Sequence, residues 1–157
     1  MKQVGCKTSI GVFLSGLVIA AAGPMQEARA AEHEGKQCTN ATFKGTYGFS
    51  QQGSVVGIAP FPVPAADVGI VSGDGKGNLT GNETVNVGGQ VFTDTFFNGT
   101  YQINPDCTGT ATWMAVFSDG RPPQPRSASF VITNNAKEVH ILSTAPGTVL
   151  VGIGRKQ

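Results

Sequence analysis

The chain has 157 residues, and its 11 Lys and Arg residues nearly balance its 10 Asp and Glu residues, for a formal net charge of +1. This balance, with no basic stripe, argues against a nucleic acid partner. Charged residues make up only 13% of the chain and 22 residues are Gly. With regularly placed Val, Ile and Phe, that composition is typical of an all-β domain rather than of a disordered chain.

The first thirty residues have the three-part pattern of a secretory signal peptide. Lys2 and Lys7 form a basic start, an apolar run covers residues 9–23, and small residues flank Arg29 before the expected cleavage near Ala30. The run has about fifteen residues, whereas a membrane-spanning helix needs about twenty. A retained anchor is the alternative. We therefore expect a secreted or periplasmic protein with no membrane span after signal cleavage.

Signal cleavage would leave two cysteines. Cys6 precedes the apolar run and would be removed, while Cys38 and Cys107 would remain in an oxidising compartment, where pairing is the default. Neither has a partner at metal-ligand spacing, so we predict a disulfide and no metal. No motif indicates a cofactor. Residues 31–42 are interpreted as an N-terminal leader and residues 43–157 as one β-barrel domain.

From residue 43 onward, short strand-like runs alternate with turn residues. Period-two alternation of apolar and polar side chains predicts strands over 43–50, 54–59, 66–72, 79–87, 90–103, 107–117, 126–133, 137–144 and 148–155. Pro60, Pro62 and Pro64 interrupt pairing, so that segment is expected to be a loop or a sheet edge. Residues 74–78 (DGKGN) form a predicted tight turn.

Eight or nine strands with short connections predict an antiparallel meander. We expect about eight strands closed into a small β-barrel, which removes exposed edges, with a β-sandwich as the alternative. An open edge near residues 60–64 would be a natural contact. Oligomeric state is not indicated.

An internal repeat accompanies the strand pattern. Residues 43–47 (FKGTY) recur as residues 97–101 (FNGTY), each copy being followed by a hydrophobic residue two positions after the Tyr. We expect curved strands in which Tyr packs inward with its hydroxyl near the rim. The repeat marks two halves of a barrel or is a chance reuse; both interpretations stay open.

An aromatic set on the predicted inner faces is the candidate ligand site. Phe43 and Phe97 belong to the broader apolar set, and the candidate ligand-binding residues are Tyr47, Phe49, Tyr101, Trp113, Phe117 and Phe130. The simplest alternative is that these side chains fill the core, as in most small barrels.

Catalytic residues are not identified from motifs. Ser, His and Asp occur without a G-x-S-x-G sequence, and His140 lies on the opposite strand face from its apolar neighbours. Asp67, Glu83 and Arg126 are polar residues that could face inward. A carboxyl group in an apolar barrel would have a raised pKa and could act as an acid.

Several short sequence motifs occur in a recognisable order along the chain. They are Cys38, Gly45-x-Tyr47, the D-G-x-G turn at residues 74–77, G-T-Y at residues 99–101 and D-C-T-G at residues 106–109. This pattern resembles a group of small exported bacterial proteins of uncharacterised function. More distantly, it is similar to the allene oxide cyclase and dirigent barrels, which implies an eight-stranded antiparallel barrel with an apolar cavity. The cyclase active-site residues have no matched positions here.

Three functions follow as hypotheses. The first is an exported barrel that binds a small apolar or aromatic ligand. The second is an isomerase or cyclase of the allene oxide cyclase-like type, and the third is a structural or surface-interaction protein that acts through its Thr-rich outer faces.

Overall fold

The computed structural model describes residues 37–157, which form a closed barrel of eight antiparallel strands. Each strand pairs with its sequence neighbours, and the last pairs with the first. The strands are β1 (Lys44–Val55), β2 (Val63–Asp74), β3 (Asn78–Val87), β4 (Gln90–Ile103), β5 (Thr108–Phe117), β6 (Gln124–Thr133), β7 (Glu138–Ser143) and β8 (Thr148–Lys156). The barrel prediction is confirmed and the sandwich alternative is wrong.

The signal peptide and most of the leader predicted from the sequence precede the described range, which itself contains little helix. The predicted signal peptide and residues 31–36 of the leader lie outside the described residues. Within residues 37–157, the helical elements are two short 3-10 turns, Asn40–Phe43 and Asn134–Ala136. None of the helices in this range is long and apolar enough to cross a membrane.

The segment around the three prolines differs from the prediction. β1 continues to Val55, and residues 56–62 form the loop, so no separate strand covers residues 54–59. Pro64 lies within β2 opposite Ser54, and its carbonyl accepts a hydrogen bond from the Gly88 N–H at 2.9 Å. A proline near the start of a strand removes few ladder bonds. The loop alternative of the prediction is confirmed for residues 60–62. Because β1 also pairs with β8, the barrel is closed, and the alternative of an open sheet edge at residues 60–64 is wrong.

One end of the barrel is closed by the segment that precedes β1. Cys38 and Cys107 form the predicted disulfide, with Cα atoms 5.0 Å apart. The Cys38 N–H donates a hydrogen bond to the Pro105 carbonyl at 3.1 Å. Phe43 is buried and stacks on the ring of Tyr47 with centroids 4.6 Å apart. We call this the closed end.

Both tyrosines of the repeat point inward at the closed end, as predicted. The Tyr47 hydroxyl donates to the Ala136 carbonyl at 2.8 Å. The Tyr101 hydroxyl donates to the Asn40 carbonyl at 3.0 Å and accepts from the Gly75 N–H at 2.9 Å. These hydrogen bonds join strands to the connections that cover the end, which gives both hydroxyls a structural role.

The phenylalanines of the repeat are not equivalent. The pairing of β4 with β5 shifts register between Thr95 and Thr100, as a β-bulge does. As a result, Phe96 is 2% exposed inside the barrel, while Phe97 is 70% exposed outside it. The expectation that Phe97 belongs to the core is wrong, and the repeat does not mark two equivalent halves.

The predicted turn at residues 74–78 is confirmed as a hairpin turn. The Asp74 Oδ1 atom accepts hydrogen bonds from the backbone N–H groups of residues 76–78 at 2.7–3.1 Å. Together with the hydrogen bond from the Asn78 side chain, the largest cause, they lower the pKa of Asp74 to about 2. Gly75 and Gly77 have positive φ angles of 81° and 115°, which glycine adopts readily.

Candidate functional site

The barrel interior holds a small apolar cavity, which we call the inner cavity. Its volume is about 60 Å³. A water molecule takes up about 30 Å³ in the liquid, so the inner cavity is too small for an aromatic molecule. It is lined by Phe43, Phe49, Gln51, Val71, Leu79, Phe96, Ala111, Trp113, Ala128, Phe130, Val139 and Ile141.

A larger cavity opens at the end opposite the disulfide, and we call it the mouth. Its volume is about 470 Å³, which is within the range of about 300–1,000 Å³ usual for small-molecule sites. Seven strands and three connections between strands contribute to it. Its lining residues are Val55, Ile58, Val63, Val85, Val87, Gly88, Gln90, Phe92, Phe117, Arg121, Gln124, Arg126 and Thr148.

Three carboxyl groups lie between the mouth and the inner cavity. Along β4, Phe92 lines the mouth, Phe96 lines the inner cavity, and the buried Asp94 comes between them on the same face. On β3, Glu83 lies two residues deeper than Val85 of the mouth. On β2, residue 67 lies halfway between mouth-lining residue 63 and cavity-lining residue 71. We call Asp67, Glu83 and Asp94 the carboxylate layer.

Strand register brings this layer together. Glu83 is directly opposite Asp94 in the β3–β4 pair, and Asp67 is directly opposite Gln51 in the β1–β2 pair. Exposure is only 7% for Asp67, 6% for Glu83 and 1% for Asp94. Carboxyl groups are rarely buried to this degree without a partner, so the layer is a strong candidate for function.

Burial and mutual repulsion make these carboxyl groups hard to ionise. Burial, followed by the charges of Asp94 and Asp67, raises the pKa of Glu83 to about 8. Burial also raises the pKa of Asp67 to about 6 and is the main cause of the raised pKa of Asp94. The positive charge of Arg126 opposes all three shifts. Near neutral pH, Glu83 is therefore a proton donor in the same layer as Asp67, whose pKa is lower.

Several polar atoms around the layer have no hydrogen-bond partner in the described part of the chain. They are Asp67 Oδ1, both carboxylate oxygens of Asp94, Gln51 Nε2 and Trp113 Nε1, all of them buried. An unpaired buried polar group costs about 1–3 kcal/mol. The layer thus presents free acceptors and free donors toward the barrel interior.

Two arginines line the mouth. Arg126 is half-buried on β6, directly opposite Trp113, and its guanidinium lies 5.9 Å from the centroid of the Phe117 ring. Arg121 lies 3.9 Å above the Phe92 ring and forms an ion pair with Asp119. Stacking of this kind holds a guanidinium over an aromatic wall.

The six predicted ligand-binding residues fall into three groups. Phe49, Trp113 and Phe130 line the inner cavity, and Phe117 lines the mouth. The remaining two are Tyr47 and Tyr101, whose hydroxyls bind backbone groups at the closed end. The structure thus separates aromatic residues that the sequence pattern placed in one set.

Sequence reasoning identified part of the polar layer and missed the rest. Asp67 and Glu83 point inward, as alternation along their strands indicates. Asp94 and Gln51 were not singled out. The available signal for Asp94 was its position midway between Phe92 and Phe96, which places its carboxyl on the same inner face.

Other candidate chemistry has weaker geometric support. Within residues 37–157, no group of three or more His, Cys, Asp or Glu side chains is arranged to hold a metal ion. His140 is exposed and lies 3.2 Å from Glu138 on the outer face of β7.

In comparisons with known proteins, no protein-family model, no curated protein and no solved structure matches the chain.

The outer surface carries exposed apolar side chains on nearby strands. Val68 on β2 and Ile153 on β8 both lie opposite Ser50 of the intervening strand β1. They are 59% and 38% exposed, respectively. A contiguous exposed apolar patch would favour the surface-interaction hypothesis, and that hypothesis stays a prediction.

Proposed function

We propose that the protein is exported and that it binds a small apolar or aromatic molecule in the mouth of the barrel. The observation that supports this most is a mouth of about 470 Å³ with Val and Phe walls above a buried polar layer. An apolar pocket with a few convergent polar groups is the usual composition of a small-molecule site. The Cys38–Cys107 disulfide is consistent with export to an oxidising compartment.

The mouth, rather than the inner cavity, is the proposed binding site because of its size. The inner cavity has room for about two water molecules. In the mouth, a ring could pack against Val85, Phe92 and Phe117. These side chains lie on three consecutive strands, so the site is built on the sheet rather than on a loop.

Binding is testable with the chain's only tryptophan, Trp113, as the fluorescent donor. The probe is N-phenyl-1-naphthylamine, a neutral aromatic molecule whose fluorescence rises in apolar surroundings. We expect saturable binding, with energy transfer from Trp113 to the probe. Val87→Phe, which narrows the mouth, should weaken binding about tenfold, or about 1.4 kcal/mol.

The matched control is Asn86→Phe, which adds the same side chain on the outward face of the same strand. It should leave the affinity unchanged. The proposal is overturned if the probe does not bind, or if Val87→Phe and Asn86→Phe bind it equally well.

A second candidate function is proton-transfer catalysis of the isomerase or cyclase type. The observation that favours it is Glu83, whose raised pKa of about 8 keeps it protonated at neutral pH. Asp67, with a pKa of about 6, is a base in the same layer. Glu83 would give a proton to one substrate atom while Asp67 accepts a proton from another, so that the substrate is isomerised without any change in composition.

This chemistry is testable by hydrogen–deuterium exchange at carbon. The probe is 4-phenyl-2-butanone, which combines an aromatic body with exchangeable protons beside a carbonyl. We expect the protein in D2O to accelerate deuterium incorporation, measured by mass spectrometry, and Glu83→Gln to abolish the acceleration. Equal exchange rates for Glu83→Gln and the unmodified protein would reject the catalytic role.

A further inference from the structure

We infer that the ligand is a protonated amine with an apolar body, whose ammonium group enters the carboxylate layer while its body fills the mouth. This inference rests on the proposed binding function of the mouth. The ligand class follows from the hydrogen-bonding atoms, the charges and the shape of the site.

The hydrogen-bonding atoms favour a donor-rich ligand. Three buried acceptors, Asp67 Oδ1 and both carboxylate oxygens of Asp94, have no donor within 3.5 Å in residues 37–157. Two buried donors, Gln51 Nε2 and Trp113 Nε1, lack an acceptor there, so unpaired acceptors outnumber unpaired donors. The acid proton of Glu83, directly opposite Asp94, favours the ionised form of Asp94. A primary ammonium group has three N–H donors and no acceptor. It therefore supplies the kind of group that the unpaired carboxylate oxygens lack, and charge-assisted hydrogen bonds of this type are about twice as strong as neutral ones.

The protein's own nearby cation does not take this place. Arg126 influences all three carboxyl groups electrostatically. In the described part of the chain, however, no carboxylate oxygen lies within 4.0 Å of its guanidinium. Arg126 lies instead on the mouth wall near Phe117. The unpartnered carboxylate oxygens of Asp67 and Asp94 are thus left for a cation from outside the chain.

The balance of charge around the layer also favours a cation. The groups facing it are Asp67 on β2, Glu83 on β3, Asp94 on β4 and Arg126 on β6, with the Arg121–Asp119 pair at the mouth rim. Three acidic groups, of which Glu83 is protonated near neutral pH, thus face one basic group without an ion-pair partner. A bound ammonium would stabilise the ionised carboxylates and lower their pKa values, so binding would release protons to solvent.

The shape of the site favours an organic cation over a metal ion as the ligand. No three acidic groups in the described range converge at metal-binding geometry. The mouth above them is walled by Val85, Phe92 and Phe117, and that surface stabilises an apolar body rather than a hydration shell. A ligand that is charged at one end and aromatic at the other satisfies both parts of the site.

The experiment compares three molecules of similar size on the disulfide-bonded exported chain. The probes are 2-phenylethylamine, 2-phenylethanol and 3-phenylpropanoate, which are cationic, neutral and anionic at neutral pH. Binding is measured by calorimetry and by Trp113 fluorescence. We expect the amine to bind at least about tenfold more tightly than the alcohol, and the anion no more tightly than the alcohol.

Two variants test whether the carboxylate layer causes this preference. Asp94→Asn should remove most of the preference for the amine, measured as the ratio of the amine affinity to the alcohol affinity of the same variant. Asp67→Asn is the second variant, should the first fail to fold, and it should act in the same direction. The matched control is Asp106→Asn, at an exposed aspartate of the closed end, which should retain the full preference.

The pH dependence provides an independent readout. As pH falls from about 8 to about 5, Glu83 and Asp67 take up protons while the amine stays charged, so the preference for the amine should shrink. Calorimetry in two buffers of different ionisation enthalpy should show proton release when the amine binds at about pH 7. A preference that is independent of pH, with no proton release, contradicts the inference.

Each outcome distinguishes the ligand class from the binding function. If the alcohol binds as tightly as the amine, or the anion binds most tightly, the amine inference is overturned while the mouth remains a binding site. Displacement of the amine by calcium chloride alone would assign the layer to an inorganic cation and also overturn the inference. If these probes and N-phenyl-1-naphthylamine all fail to bind, the proposed function fails as well.

Discussion

Glu83→Gln is expected to make the protein more stable at neutral pH. The pKa of Glu83 is raised from its ordinary value of 4.5 to about 8, so the folded protein holds a proton that the unfolded chain releases. The stabilising contribution of this raised pKa is fully present below about pH 4.5 and is lost as pH rises through about 8. Glutamine resembles the neutral acid in shape and does not ionise, so the free energy of unfolding of the variant does not fall through this group as pH rises.

The magnitude follows from the width of that pH window. Between the two pKa values the folded state binds about one more proton than the unfolded state, so the free energy of unfolding falls by about 1.4 kcal/mol per pH unit. From about pH 5.5 to about pH 7.5, the loss is about 2–3 kcal/mol. Asp67, whose pKa is raised to about 6, contributes with the same sign, but it is present in both proteins and largely cancels in their difference.

Urea unfolding at several pH values, with the disulfide intact, measures this difference. We expect the free energy of unfolding of Glu83→Gln to exceed that of the unmodified protein by an amount that grows by about 2–3 kcal/mol over this range. Glu138→Gln is the matched control. Glu138 forms an ion pair with Arg155 on the outer surface and lies 3.2 Å from His140; solvent screens charges there and such pairs contribute little.

The result that would refute the reasoning is a pair of parallel stability curves. If Glu83→Gln and the unmodified protein lose stability equally as pH rises, the Glu83 carboxyl is already ionised in the folded state. A less stable variant at about pH 7.5 would lead to the same conclusion, because it would mean that the charged form makes favourable contacts.

Three further predictions concern the scaffold. Replacing both cysteines (Cys38→Ser with Cys107→Ser) should lower the free energy of unfolding by about 4 kcal/mol in denaturant titrations, because the bridge spans 69 positions of sequence and restricts the unfolded chain; an unchanged midpoint would contradict that account. Phe96→Ala should cost about 3–5 kcal/mol, whereas Phe97→Ala should change the thermal midpoint little; similar losses would mean that the bulge does not separate the two side chains. Tyr47→Phe should cost about 1 kcal/mol through loss of the hydrogen bond to Ala136, and no measurable cost would show that solvent replaces the hydroxyl.

Much of the fold was predictable because alternation and turn chemistry act locally. The span of β4, residues 90–103, matches its prediction at both ends. The Asp74 turn follows from side-chain hydrogen bonds within five residues. By contrast, the bulge in β4 depends on its pairing with β5, and a Phe-Phe pair alone does not reveal which ring faces inward.

The candidate site was predictable only in part, for the same reason. Alternation placed Asp67 and Glu83 on inner faces, and it could have placed Asp94. It could not show that Glu83 and Asp94 are directly opposite each other, because register is a property of two strands. Nor could it separate Tyr47, whose hydroxyl is bound at the closed end, from Phe117, which lines the mouth.

The pairing of β1 with β8 has a consequence for folding kinetics. It joins the first strand of the barrel to the last; Tyr47, for example, is paired with Lys156. The contact therefore joins residues separated by nearly the whole length of the domain. Contacts so distant in sequence fold slowly, because the loop entropy is lost before the contact is gained. The disulfide encloses β1–β4 and does not bring β8 any closer. We therefore expect barrel closure to be a late folding step, during which the edges of β1 and β8 are open to pairing with other chains.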